Sequence, residues 1–240
     1  MIDPVGCAIS FALALCLSLL TYRFGLLTKS GCIAAFLIGF IIGALGSVWW
    51  LALLIVFAII GFAATLIGLS KKREKGLQEG THGERSYKNI LGVALAPAVF
   101  AVLNQIFEGH EWEFSVAYIA TIAVAAADTA ASELGVRDPK VWLITTFRRV
   151  EPGTDGGISV KGTLISLAAA AVVSLIGYLF IQHTLDVWVL VPIACGMIGC
   201  FADSYIGATV ETWGYVNKYV NNCSTEILGG AVAVAMCLML

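Results

Sequence analysis

Two aspartates stand inside runs of residues that are otherwise apolar enough to span a membrane. They are Asp128, in Ala127-Asp128-Thr129, and Asp203, in Ala202-Asp203-Ser204. A carboxylate at membrane depth is costly unless it is paired, bound to a metal or turned toward water. Two carboxylates with hydroxyl neighbours are the oxygen-rich set that suits Mg²⁺, with phosphate usually completing the shell. A purely structural role, hydrogen-bonding one helix to the next, is the alternative. Gly196, Gly199, Asp203, Gly207 and Glu211 fall within an arc of ~120° on a helix at ~100° per residue, a small polar stripe against which a neighbour or substrate can lie. In the other run Asp128, Ser132 and Gly135 share a face, with Thr129 and Glu133 beside it. The similar triplets hint at an internal duplication.

Between these runs lies the polar segment Glu133 to Gly162, containing Pro152-Gly153-Thr154-Asp155-Gly156-Gly157 and preceded by Arg148 and Arg149. Glycines clustered this closely leave backbone N–H groups free to turn toward a ligand, and let that ligand approach. They also suit a tight turn between helices. Two further polar clusters are Glu84-Arg85-Ser86-Tyr87-Lys88-Asn89 and Asn221-Asn222-Cys223-Ser224-Thr225-Glu226. Each precedes an apolar run, where such residues act as helix caps and where an acid such as Glu226 complements the helix dipole. Arg85, Lys88, Arg148 and Arg149 also have the chemistry to anchor to anionic headgroups.

The elements that must hold these residues are membrane helices. The 240 residues are 59% hydrophobic and 12% charged, with a mean hydropathy of +0.91. That charged fraction is about half of what soluble domains carry. Hydropathy predicts a single all-α, polytopic membrane domain over residues 1–240 with about eight helices: Pro4–Leu20, Ser30–Leu45, Val48–Leu69, Asn89–Phe107, Phe114–Leu134, Thr163–Phe180, Val187–Val210 and Thr225–Leu240. A polar loop from Lys71 to about Lys88 separates the third from the fourth. Gly39 and Gly43 form a close-packing pair on the second helix. The Met1-Ile2-Asp3-Pro4 start lacks the basic region of a signal peptide, so the first span is expected to be retained.

Charge sets the orientation. With the N-terminus outside, all 14 basic residues fall in cytoplasmic segments, while the outer segments hold Asp3, Glu108, Glu111, Glu113 and Asp186. Asp128 and Asp203 then lie at similar depth, ~20 Å below the outer surface of a ~30 Å core, on the side of the cations and the glycine loop. His82, His110 and His183 have no metal-ligand spacing, and no Cys-x-x-Cys occurs among the seven cysteines, which are expected to be small buried apolar residues. There is no Walker-type loop, and nothing points to nucleic acid.

The chain resembles the phytyl-phosphate kinase family, the group related to transmembrane protein nineteen. The resemblance rests on Leu27-Thr28-x-Ser30-Gly31 with Ala34-Ala35, Ala127-Asp128-Thr129-x-Ala131-Ser132-Glu133-Leu134-Gly135 and Thr145-Thr146-Phe147-Arg148. It continues through Pro152-Gly153-Thr154-Asp155-Gly156-Gly157-Ile158-Ser159, Asp203-Ser204-x-x-Gly207-Ala208 and Asn221-Asn222. It covers nearly the whole chain, and more distantly the chain is similar to dolichol and phytol kinases and lipid cytidylyltransferases. The resemblance implies phosphoryl transfer from a nucleoside triphosphate, CTP rather than ATP, to a prenyl monophosphate embedded in the lipid bilayer. On that basis Asp128, Asp203 and Glu226 are expected to hold Mg²⁺, with Arg148 beside Asp128 and Asp203 as a catalytic group. Gly153, Thr154, Asp155, Gly156, Gly157 and Ser159 are expected to bind the nucleotide. Arg85, Lys88, Asn89, Thr129, Ser132, Glu133, Ser204, Asn221 and Asn222 are expected to meet the substrate phosphate. Cytidylyl transfer onto a lipid phosphate would use the same groups. Ion-coupled transport is a reading of another class, though it would favour carboxylates nearer mid-membrane.

The orientation has a direct test. Single cysteines placed at His110 and at Gly153 in a cysteine-free background should label from opposite sides of an intact cell membrane. Labelling of both from outside would overturn the charge argument.

Overall fold

The computed structural model describes residues 3–74, 76 and 83–239. The expected polar loop after Lys71 falls partly outside them, as does His82. Eight α-helices form the bundle: α1 (Pro4–Arg23), α2 (Lys29–Leu45), α3 (Val48–Glu74), α4 (Tyr87–Ile106), α5 (Glu111–Leu134), α6 (Val160–Gly177), α7 (Leu190–Ile206) and α8 (Lys218–Met239). Seven are long and apolar enough to cross a membrane, and α2 is a shorter apolar helix of 17 residues.

The bundle is built around α5. Every residue from Ser115 to Ala127 is buried, because α3, α4, α6, α7 and α8 all pack on it. Its sequence permits this, since alanines keep the helix thin and the neighbours present glycine. A Cβ at Gly177 of α6 would come within 2.8 Å of Ile119, one at Gly196 of α7 within 3.2 Å of Ala123, and one at Gly230 of α8 within 2.9 Å of Thr121. Tyr118, wholly buried, donates its hydroxyl to the Trp50 carbonyl at 2.6 Å and stacks on the Trp50 ring at 4.2 Å. Gly43 packs on Ser10 of α1 and on Leu51 of α3, so the predicted glycine face of α2 is used as a packing face.

The motif Leu27-Thr28-x-Ser30-Gly31 also has a structural role. The Thr28 hydroxyl caps α2 by accepting the Gly31 N–H at 3.2 Å, and the Thr28 N–H donates to the Arg85 carbonyl at 3.0 Å. A Cβ on Gly31 would lie 2.6 Å from that same carbonyl, so only glycine fits where the two segments bridge.

Helix ends differ from expectation in two functional places. α8 begins at Lys218 rather than Thr225, because Asn217 accepts the N–H groups of Tyr219 and Val220 at 3.0 and 3.1 Å and caps the helix earlier. Asn221, Asn222 and Glu226 are therefore inside α8 and not a cap before it. α6 starts at Val160, where the Ser159 hydroxyl accepts the Gly162 N–H at 3.0 Å. The segment expected to be a glycine loop carries a small antiparallel sheet, β1 (Val141–Leu143), β2 (Arg149–Val150) and β3 (Gly157–Ile158), in the order β2-β1-β3. Strands of two or three residues leave no readable alternation in a sequence.

The glycine contacts on α5 carry a stability prediction. Gly199→Leu forces α7 away from Val124, and overpacking of this kind typically costs about 1–3 kcal/mol. Its thermal midpoint in detergent should fall, whereas Ala194→Leu, on an exposed position of the same helix, should leave it unchanged.

Candidate functional site

A cleft of about 240 Å³ opens where α5, α6 and α7 reach the basic end of the bundle, roofed by the segment that carries the sheet. α5 contributes Asp128 and Ser132, with Gly135 just past its end, and α7 contributes Asp203 and Ser204, with Gly207 and Glu211 from the turn that follows it. Ser159, Gly162, Thr163 and Ser166 come from the start of α6, residues 153–157 from the roof, and Lys218 and Asn222 from the start of α8. The polar stripe on α7 is thus divided. Gly196 and Gly199 pack on α5, while Asp203, Gly207 and Glu211 face the cleft.

Asp128 and Asp203 come together at the floor, close enough for their charges to act on each other. Two carboxyls at that distance repel unless a proton or a cation lies between them. Oδ1 of Asp203 is buried without a hydrogen-bond partner. Among the described residues four acids, Asp128, Asp155, Asp203 and Glu211, line the cleft against one base, Lys218. Such a wall would repel a polyanion by itself, and suits one that arrives with cations.

Glu211 is held deliberately. α7 ends in a wide π-type turn over Gly207–Glu211, and turns of this kind often occur at functional sites. Thr212 closes it by donating to the Gly207 carbonyl at 2.6 Å. Asn221, almost fully buried, stands behind the floor. Its Nδ2 donates to the Asp203 carbonyl and to Glu211 Oε2, both at 3.1 Å. Asn221 is therefore a positioning residue rather than a lining one. Glu211 and Lys218 were not among the expected site residues. The arc of polar residues on α7 was the signal for Glu211, and no local pattern marked Lys218.

Other expected residues lie elsewhere. Glu226 is 1% exposed, two turns inside α8, and neither carboxyl oxygen has a hydrogen-bond partner. It does not line the cleft. Among the described residues no group of three or more His, Cys, Asp or Glu is placed to hold a metal ion, so Glu226 is not assembled with the two aspartates as a ligand set. Thr129 and Glu133 turn to the opposite side of α5. Thr129 meets Gly61 of α3, and Glu133 faces Arg85 at 3.6 Å. Arg85 also donates to Thr65 at 2.8 Å and lies over the Phe62 ring, so it joins α3 to α5 instead of facing the cleft. Asn89 accepts from the Ser86 N–H at 2.9 Å and is occupied with the start of α4, while Lys88 is exposed. Arg148 is exposed on the hairpin between β1 and β2 and does not line the cleft.

The roof corrects the expectation that its glycines leave open space. Gly156, at φ +74°, presses on α7: a Cβ there would meet Ala208 and come within 2.6 Å of the Ser204 carbonyl. A Cβ on Gly157 would lie 2.8 Å from both the Thr154 carbonyl and Val141. The N–H groups of Thr154 and Gly157 are spent on turns, donating to Glu151 and Thr154. These glycines let the roof close down on the aspartate helix. The cleft is a product of that closure.

The family profile described as integral membrane protein DUF92 matches residues 12–234. The chain belongs to this family. A membrane protein of Methanocaldococcus jannaschii, described as uncharacterized, is 37% identical over 94% of this DUF92 chain and 92% of its own length. Another uncharacterized membrane protein, from Synechocystis, is 34% identical over 88% of the chain and 83% of its own. The Arabidopsis thaliana protein VTE6, chloroplastic, is 31% identical over 88% of the chain and 65% of its own length. No solved structure matches the chain.

Gly156→Val tests the roof contact. A branched side chain at a positive φ and against the α7 backbone should lift the segment from α7. A cysteine introduced at Ser132 in a cysteine-free background should then react with a maleimide faster than it does beneath the native roof. An unchanged rate would show that the roof does not depend on this contact.

Proposed function

We propose that the protein is a Mg²⁺-dependent membrane kinase that transfers a phosphoryl group from a nucleoside triphosphate, CTP in preference to ATP, to a prenyl monophosphate. The observation that carries this reading is the meeting of Asp128 and Asp203, from two different helices, at the floor of one acid-lined cleft. The motif resemblance to phytyl-phosphate kinases supplies the reaction class. The basic end of the bundle is read as cytoplasmic, which gives the nucleotide access.

The residues fit a hard cation. Both floor groups are oxygen donors, Asp203 Oδ1 lacks a partner, and Ser132 and Ser204 stand beside them. Mg²⁺ is commonly bound through one or two carboxylates with substrate phosphates and water completing the shell, so a third protein acid is not required. When bound, Mg²⁺ would offset the charge of the phosphates and of the floor. In this reading Asn221 holds Asp203 and Glu211 in place, and Lys218 meets phosphate directly. The roof over residues 153–157 keeps water from the reacting groups. Arg148 faces the water side, where it meets the nucleotide. The reading leaves out Arg85, Lys88, Asn89, Thr129 and Glu133, which lie away from the cleft.

Chemically, an oxygen of the prenyl monophosphate attacks the terminal phosphorus of the nucleotide. The bond from that phosphorus to the β,γ-bridging oxygen breaks, and the nucleoside diphosphate leaves with the electron pair. Such transfer depends on alignment and charge stabilisation rather than a covalent enzyme intermediate.

The test is to incubate the protein in liposomes with Mg²⁺, each nucleoside triphosphate and a panel of prenyl monophosphates, identifying both products by mass spectrometry. The expected products are a prenyl diphosphate and a nucleoside diphosphate. Asp128→Asn and Asp203→Asn should each reduce turnover on the order of 10²-fold or more while the protein stays folded. A lipid product that keeps the nucleobase, with pyrophosphate released, would replace the kinase with a cytidylyltransferase. Near-normal turnover in either variant would remove that aspartate from the site.

A further inference from the structure

The cleft does not open only toward water. Of its lining residues Phe201 is 37% exposed, on a stripe of α7 that continues through Ile198 and Tyr205, both also exposed. Across the seam, Leu164 and Leu167 form the matching exposed stripe of α6. These positions lie in helices long and apolar enough to cross a membrane, and their exposed apolar faces suit lipid.

The seam between α6 and α7 is closed at one point and looser at another. A Cβ on Gly196 would lie 2.9 Å from Ala170 Cβ, and the Ser166 hydroxyl sits 3.6 Å from Met197 Sδ. Toward the roof, α6 is drawn to α5 instead, where a Cβ on Gly135 would touch Gly162 Cα at 3.4 Å. The two helices are therefore less tightly drawn together between Ser166 and the roof. Thr163 lies on one side of this stretch, with Phe201 and Ser204 on the other, and Asp203 is beside them at the floor. From Gly196 to Ser204 is eight residues, ~12 Å along the helix axis. The cleft lining thus runs from the carboxylates of the floor to the exposed, apolar Phe201.

We propose that a gap between α6 and α7 on the roof side of the Ala170–Gly196 contact is the lateral mouth through which the hydrocarbon tail of a lipid phosphate leaves the site, resting on Phe201. The inference rests on the lipid-phosphate reading of the cleft given above. It adds that the substrate enters sideways from the bilayer, and that Phe201 is a specificity-determining residue. The Ala170–Gly196 contact closes the seam, so the tail cannot continue along the helix pair and must turn into lipid. The protein reads the first part of the tail and ignores the rest. An acceptor must carry a tail long enough to reach Phe201, and further length should matter little.

The test uses the full protein in phosphatidylcholine vesicles with a photoreactive long-chain prenyl monophosphate, a diazirine being placed near the phosphate end. After illumination, labelled residues should map to Phe201–Tyr205 and to 163–167, and excess geranylgeranyl monophosphate should suppress that labelling. Label spread evenly over lipid-facing positions such as Ile33 and Leu66, or unaffected by the competitor, would overturn the proposal. As a second measurement, Phe201→Trp should lower the ratio of turnover on geranylgeranyl to that on dimethylallyl monophosphate by about tenfold. An unchanged ratio would also overturn it. Competed labelling at the seam without diphosphate formation would keep the mouth and sink the kinase. Diphosphate formation with label elsewhere would do the reverse.

Discussion

Two carboxyl groups brought to one cleft inside an apolar bundle are the constraint on which the rest of this protein depends. Asp128 and Asp203 sit on different helices, α5 and α7, and each would be expensive alone at that depth. Bringing them together does not remove the cost, since like charges repel, and it creates a demand for something positive between them. Lys218 supplies part of that positive charge from the rim of the cleft. Asp203 keeps an unpartnered oxygen, Asn221 donates to the backbone of Asp203 rather than to its carboxyl, and one lysine faces four acids.

Holding two repelling groups near each other requires a rigid frame, and small residues provide it. α5 is lined with alanine and met by glycines from α6, α7 and α8, so backbones approach closely and the helices cannot slide apart without losing packing. The same closeness is relaxed in one direction. α6 is tied to α5 near Gly135 and to α7 near Gly196, and the gap between those two ties is the cleft. The roof, pressed on α7 by Gly156, closes the top. Packing therefore produces both the precision of the floor and the opening beside it.

The buried polar groups away from the cleft answer a different need. Arg85, Thr65 and Glu133 join α3 to the end of α5, and the Arg85 backbone supports the start of α2. Charged groups in such surroundings are retained where they are paired, and removing one partner leaves the other costly. They fasten the outer helices to the one that carries Asp128. Their kinship with the site in sequence is through position along α5, since Thr129 and Glu133 flank the cleft-facing residues on the opposite face.

How much of this was legible follows from what each signal measures. Hydrophobic run length is a local property, so the helix count and the membrane class could be read directly, and α2 alone fell short of the spanning length. Helical period put Asp128, Ser132 and Gly135 on one face, and Asp203, Gly207 and Glu211 on another, and the structure turns both to the same cleft. Local chemistry misled where a competing cap was present. Asn217 starts α8 early, which moves Glu226 from a helix end into the buried interior. Residue type could not say which way a cation points. Arg85 binds within the bundle and Arg148 stays on a hairpin, because side-chain partners belong to segments far away in the chain. Spacing likewise could not separate a glycine that makes room for a ligand from one that makes room for a helix. The sequence alone determined which residues are polar at membrane depth and on which faces they lie. Only the tertiary structure decided which faces meet, because that depends on contacts between helices that no single stretch of sequence contains.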